Sequence, residues 1–245
     1  MVNQFSITGP HHTRRPDIIL FVNGLPLVLI ELKNPADLSA DLWKAFDQIQ
    51  SYKEQIADAF QYNEVLVVSD GSDALLGSLS ANAERFMAWR TIDGVTLEPL
   101  GPFNELQTLV RSVLAPAMLL DFLRYFVLFD DDGGLVKKIA GYQQFHAVRA
   151  AITQVIAALR PDGAPGVRGK GGVVWHTQGS GKSITMRQAH CACAADVWPK
   201  CGRCPAICTQ LPQKPQLPQK PQKPSAQQKS PAGGVFLVPL SACRN

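Results

Sequence analysis

Apolar and polar positions alternate over residues 2–7, the period of a half-buried strand. Two apolar runs follow, residues 18–22 and 27–32, on either side of Asn23-Gly24. That dipeptide suits the φ > 0 positions of a two-residue hairpin turn. Pro26 just after it fits the first residue of a strand or an edge. The pattern predicts a hairpin over residues 17–33. From residue 37 to 56 the period changes: Leu42, Phe46, Ile49, Tyr52 and Ile56 recur three or four apart, which predicts an amphipathic helix. Residues 64–68 read as a buried strand ended by Ser69-Asp70-Gly71, and residues 74–79 as another. Together these predict a compact mixed α/β domain over residues 1–110.

Helical patterns occupy residues 106–126 and 142–159, separated by the turn-like Asp130-Asp131-Asp132-Gly133-Gly134. Residues 111–165 are expected to form a helical connector, with a loop over 160–172. Residues 173–175 read as a short strand, then a Gly-rich turn and a helix start near Lys182. This predicts the start of a second domain over 166–187. After Arg187 the composition changes: nine of the 18 prolines lie between Pro199 and Pro239, and Leu-Pro-Gln-Lys-Pro-Gln occurs twice in succession from Leu211. Residues 188–245 are therefore expected to be extended or disordered.

Charge and cysteine follow the same division. The chain has 24 basic and 20 acidic residues, but the first 187 carry 17 and 19 of these, so the basic excess belongs to the tail. A basic balance placed there says little about what the folded part binds. All six cysteines lie at or after Cys191. A body without cysteine fits an intracellular, cytoplasmic protein, and no run reaches the roughly 18 apolar residues of a membrane span.

Two charged clusters interrupt the apolar strands. Pro16-Asp17 opens the predicted hairpin and Glu31-Leu32-Lys33 closes it. Hydrolysis of a phosphodiester needs a cation to offset charge in the transition state and to make water a better nucleophile. Two carboxylates supply hard oxygen ligands suited to Mg²⁺ and leave positions for water and phosphate. The hairpin would bring Asp17 beside Glu31, and residues two apart on a strand share a side, so Lys33 joins them. Lys33 can orient the attacking water, deprotonate it as the neutral amine, or stabilise charge on the phosphate. On the following helix Gln48 and Tyr52 share a face.

The run Arg14-Arg15-Pro16-Asp17 through Glu31-Leu32-Lys33-Asn34-Pro35-Ala36-Asp37 resembles the nuclease block of type I restriction enzyme R subunits. The resemblance implies a PD-(D/E)xK restriction-endonuclease-like mixed sheet with flanking helices. It implies that Asp17, Glu31 and Lys33 are the catalytic triad, with Asp17 and Glu31 holding Mg²⁺. Gln48 and Tyr52 match the family's Gln-xxx-Tyr element, shared with RecB-like nucleases. The expected partners are DNA and the methylation and specificity subunits, with no membrane.

The second cluster is His176-Thr-Gln-Gly-Ser-Gly-Lys-Ser183. Gly179 and Gly181, flanking Ser180, let backbone N–H groups turn toward phosphates, Lys182 supplies a point charge, and Ser183 offers a hydroxyl to Mg²⁺. It resembles motif I of the same R subunits, the incomplete start of a RecA-like P-loop motor that would bind ATP. Gln144, in Tyr142-Gln143-Gln144-Phe145, resembles the residue that reads adenine in such motors, since an amide can pair with both N6 and N7 of that base. After Lys182 the only carboxylate is Asp196, so a complete ATPase is not expected and the chain reads as a truncated fragment.

Alternatives stay open. The chain could be a silent remnant that only binds partner subunits or DNA, or a stand-alone RecB-like nuclease with ATP-independent activity. His190, Cys191, Cys193, Cys201, Cys204 and Cys208 could supply zinc ligands, although a shifted reading frame explains that composition more simply.

Overall fold

The computed structural model describes residues 1–35, 41–131, 133–159 and 171–196, with the backbone of Gly234–Leu237. Its elements divide into two compact units, residues 1–146 and 147–245. The first holds a six-stranded mixed sheet. The strands run β1 (Val2–Asn3), β4 (Ile18–Val22), β5 (Leu25–Leu32), β6 (Val65–Ser69), β7 (Ala74–Gly77) and β8 (Met87–Ala88), in that spatial order. A small hairpin of β2 (Ile7–Thr8) and β3 (Thr13–Arg14) stands apart from this sheet.

Asn23 and Gly24 adopt φ of 50° and 83°, and Val22 pairs with Leu25 across them. Two positive-φ residues are what a tight turn between twisted strands requires. The hairpin is therefore present, and β5 begins two residues earlier than the apolar run suggested. Its ladder is not uniform. Phe21 pairs with Pro26, but Leu20 pairs with Val28, so Leu27 is an extra residue on β5. This β-bulge shifts every pair beyond it by one. Ile18 ends opposite Ile30.

β5 and β6 run parallel, and α1 (Leu42–Gln55) follows β5 and packs across both. Its N-terminus is capped by Asp41, whose side chain accepts from the Trp43 N–H at 3.1 Å. The predicted residues 36–40 lie outside those described. Leu42, Ala45, Ile49, Tyr52 and Ile56 form the buried stripe and meet Leu29, Leu66, Val68, Phe60 and Phe86. Burying one such large apolar side chain is worth about 1.5–3 kcal/mol. All five residues of β6 are buried, as for a central strand covered on both faces.

Three expectations are corrected. The alternating residues 2–7 are not one strand, because Gln4 turns to φ 50° and separates β1 from β2. The helical pattern over 106–126 is two helices, α2 (Asn104–Arg111) and α3 (Pro116–Tyr125), bent by 76°. Pro116 has no N–H to give and occupies the first turn of a new helix, where none is needed. The acidic stretch after Phe129 does not join two helices: Asp130 ends β9 (Val127–Asp130) and pairs with Val136 at the start of β10 (Val136–Ile139), so the two strands form a hairpin. Lys137 ties β10 to the main sheet. Its main chain bonds Ser78 and Ser80, and its ammonium bonds Glu64 at 2.8 Å and the Asn63 carbonyl at 2.9 Å. A second aromatic core lies here, with Trp89 against Phe122 and Phe145, and Phe126 4.7 Å from Phe145.

α4 (Tyr142–Leu159) starts in the first unit. The second unit contains β11 (Val173–His176) and α5 (Lys182–Asp196), and β11 pairs antiparallel with β12 (Gly234–Leu237). α5 continues nine residues past Arg187, beyond the change of composition. Among the described residues no single helix is long and apolar enough to cross a membrane.

Candidate functional site

Asp17 immediately precedes β4, and Glu31 lies one residue beyond Ile30 on β5. Continuing the Ile18–Ile30 register sets Asp17 opposite Glu31 on the same face of the sheet. Leu29, on that face of β5, packs against α1, so Glu31 projects toward α1 as well. It is 2% exposed. Its Oε1 lies 3.5 Å from the Lys33 ammonium, and its Oε2 has no hydrogen-bond partner. Burial and the neighbouring Asp17 carboxylate push the Glu31 carboxyl up to about 7, while the Lys33 charge and hydrogen bonds from the Asp17 main chain and Lys33 pull it the other way.

Asp17 is held on both oxygens. Oδ2 accepts from the Leu32 N–H at 2.8 Å and Oδ1 from the Gln4 amide at 2.7 Å. Lys33 continues the parallel pairing of β5 with β6 through its N–H to the Ser69 carbonyl at 2.8 Å. Its ammonium also donates to Gln48 Oε1, and the Gln48 amide in turn donates to the Tyr52 hydroxyl. Tyr52 is buried, and that burial raises its hydroxyl above the usual range; Glu31 and Asp17 raise it further, against the Gln48 hydrogen bond and Arg14. Asp17, Glu31, Lys33, Gln48 and Tyr52 thus occupy one continuous polar seam between the end of β5 and the inner face of α1.

The seam could hold a divalent cation. Two carboxylates share a face, and one buried oxygen is unpartnered, an arrangement that costs free energy when nothing neutralises it. Among the described residues no group of three or more His, Cys, Asp or Glu side chains is placed to hold a metal ion. Two protein carboxylates with the remaining positions left to water and phosphate suit Mg²⁺ better than a fully protein-ligated ion.

Two neighbours had no signal in the sequence. Gln4 belongs to a stretch that reads as an ordinary alternating strand, and its left-handed backbone is not announced by a glycine. Arg14 reaches Gln55 at the end of α1, and its charge is felt at Tyr52.

In the second unit, β11 leads into a turn and α5 begins at Lys182. Gly179 and Gly181 have φ of 82° and 76°, and no atom lies where a Cβ on Gly179 would sit. The Lys182 ammonium curls onto the carbonyls of Thr177 at 2.8 Å and His176 at 3.3 Å. Ser180 donates to the Thr177 carbonyl, and Ser183 is exposed in the first turn of α5. Burial and Lys182 both lower the His176 imidazole from its usual range.

Gln144 has a structural task within the first unit. Its Oε1 accepts from the Gly141 N–H at 2.9 Å and so closes the start of α4, with the side chain 8% exposed. Cys191 and Cys193 lie two apart on α5, a spacing that points them to different sides of the helix. Cys201, Cys204 and Cys208 lie outside the described residues.

Comparison with known proteins fits these two regions. Residues 1–85 match the family of the type I restriction enzyme R protein N terminus, and residues 143–197 match the SWI2/SNF2 ATPase family. The chain is 49% identical over 189 residues to the type I restriction enzyme HindI endonuclease subunit of Haemophilus influenzae, covering 76% of this chain and 18% of that protein. It is 26% identical over 193 residues to the type I restriction enzyme SauCOLORF180P endonuclease subunit of Staphylococcus aureus, covering 77% and 18%. The chain therefore spans less than a fifth of the length of these relatives.

Proposed function

We propose that this chain, which belongs to the family of type I restriction enzyme R proteins, carries a Mg²⁺-dependent DNA-cleaving centre of the PD-(D/E)xK type at Asp17, Glu31 and Lys33. The observation that carries the reading is Glu31: a buried carboxyl with an unpartnered oxygen, on the face it shares with Asp17 and beside a lysine. Such a group is costly in a folded core unless it has a task.

When bound, Mg²⁺ would supply charge neutralisation of the phosphate and a more acidic water. Asp17 and Glu31 would be its protein ligands. Lys33 sits where it can orient the attacking water or stabilise charge on the phosphate. Gln48 fixes the Lys33 ammonium from the α1 side, and Tyr52 fixes Gln48.

The second unit, in this reading, is the start of the ATP-driven motor. The backbone N–H groups of residues 177–181 would hold the phosphates of ATP, Lys182 would supply a positive charge to the terminal phosphates, and Ser183 would offer its hydroxyl to the accompanying Mg²⁺. The similarity to the SWI2/SNF2 ATPase family supports it. DNA, with the methylation and specificity subunits, would be the partners of the assembled cytoplasmic enzyme.

The test is nicking of supercoiled plasmid in Mg²⁺ by the wild-type chain and by Asp17→Ala/Glu31→Ala, with capture on immobilised methylation and specificity subunits in parallel. Nicking that requires both carboxylates and stops with EDTA supports the centre. Capture without nicking would leave a binding subunit, and equal cleavage by both proteins would refute the assignment.

A further inference from the structure

Gln4 touches the Asp17 residue twice. Its side-chain amide donates to Oδ1 at 2.7 Å, and its own N–H donates to the Asp17 carbonyl at 2.9 Å. It does so from a backbone φ of 50°, a region that residues with a Cβ enter only when the surroundings hold them there. Without that left-handed step the strand would continue from β1 toward β2. The strained residue in this segment is thus the one whose side chain reaches the carboxylate.

The two donors on Asp17 come from different directions. Leu32 N–H takes Oδ2 and the Gln4 amide takes Oδ1, so the carboxylate plane is set by one main-chain and one side-chain donor. Each carboxylate oxygen has two acceptor positions, so one bond to Gln4 leaves Oδ1 another for a cation. Glu31 lacks any such brace on Oε2. The Leu32 N–H and Gln4 together set the Asp17 carboxylate, and Gln4 is the one of the two that acts through a side chain.

We propose that Gln4 is a positioning residue for the divalent-cation site, holding the Asp17 carboxylate in the orientation that lets it share an ion with Glu31. The inference rests on the reading of Asp17 and Glu31 as the cation pair. Partners of this kind, which aim a ligand without touching the ion, typically alter metal affinity about 10–100-fold when removed.

The informative variant is Gln4→Gly in the full chain. Glycine tolerates φ 50° and so keeps the backbone while removing the amide. Mn²⁺ alone is the probe, with binding followed by its electron paramagnetic resonance signal, and stability is followed by urea unfolding. The expected result is Mn²⁺ binding weakened about 10–100-fold with unfolding unchanged or improved. Hydrogen exchange of the Leu32 amide in the metal-free protein gives a second readout, expected to quicken as Asp17 loses its brace. If Gln4→Gly binds Mn²⁺ as tightly as wild type and Leu32 stays protected, the positioning role is overturned while the cation site stands. If wild type itself binds no Mn²⁺, or binds it equally after Asp17→Ala/Glu31→Ala, the site and this inference fall together.

Discussion

Asp17 lies opposite Glu31 because Leu27 is an extra residue in β5. The turn at Asn23-Gly24 starts a ladder in which Val22 faces Leu25 and Phe21 faces Pro26; carried on unchanged, it would set Asp17 against Ile30. The bulge moves the register by one, so Ile18 faces Ile30 and Asp17 comes to Glu31. A one-residue slip reverses the face of every side chain, so without it the two carboxylates would point to opposite sides of the sheet.

Cation binding should follow the protonation of Glu31. Its carboxyl is raised to about 7 by burial and by Asp17, and a cation competes with the proton for the same oxygens. Below that value the affinity for Mn²⁺ or Mg²⁺ should rise about tenfold for each pH unit, then level off above it. Titration calorimetry from pH 5.5 to 8.5 checks this. A flat profile across pH 7 would remove Glu31 from the site.

The same shift has a consequence for stability without metal. The folded protein holds the Glu31 proton up to about pH 7, whereas the unfolded chain releases it near 4.5. Between those values the native state binds more protons, so stability falls as pH rises and is lowest once Glu31 is ionised. Glu31→Gln keeps the shape and removes the charge. It should match wild type at pH 4 and be more stable at pH 8 by on the order of 3 kcal/mol. Urea midpoints at the two pH values in EDTA decide it, and added Mg²⁺ should narrow the gap.

Much of this site was legible in the sequence, for specific reasons. Asn23-Gly24 fixes a turn by backbone sterics, and the period of α1 places Gln48 and Tyr52 toward the sheet. Charged residues at the ends of apolar strands draw attention to Asp17, Glu31 and Lys33 because charge is expensive there, and the fold brings these side chains together. The bulge at Leu27 leaves no such mark, since its residue is as apolar as its neighbours. Gln4 was hidden for the opposite reason: a polar residue in an alternating run needs no special explanation, and only the fold brings it to Asp17. The β9–β10 hairpin was missed because its short strands carry no alternation strong enough to separate them from the helices on either side.

The seam from Lys33 to Tyr52 predicts an order of effects. Lys33→Ala removes the ammonium that lies 3.5 Å from Glu31 and should lower Mg²⁺-dependent nicking by about 10²–10⁴-fold. Gln48→Ala leaves that ammonium in place without its brace from α1, so a smaller loss is expected. Tyr52→Phe should be milder still, since it removes only the far end of the chain of hydrogen bonds, and it should cost about 1 kcal/mol of stability. Plasmid nicking rates for the three variants, each checked by circular dichroism, test the order. A Tyr52→Phe defect larger than that of Lys33→Ala would mean that the hydroxyl acts directly.

Gln144 separates a helix cap from a base contact. Its Oε1 accepts from Gly141 N–H, one half of the reciprocal pairing that closes helix N-termini, and the group is buried. Gln144→Ala should therefore destabilise the first unit by about 1 kcal/mol whether or not nucleotide is present. Gln144→Glu keeps an acceptor at the same place and adds a negative charge at a helix N-terminus, which is favourable there. It should unfold at or above the wild-type urea midpoint. A carboxylate cannot donate to adenine N7 as an amide does, so fluorescent ATP analogue binding gives the second axis. Loss of binding in Gln144→Glu with stability intact assigns the residue to adenine as well as to the cap. Binding equal to wild type leaves it with the cap alone.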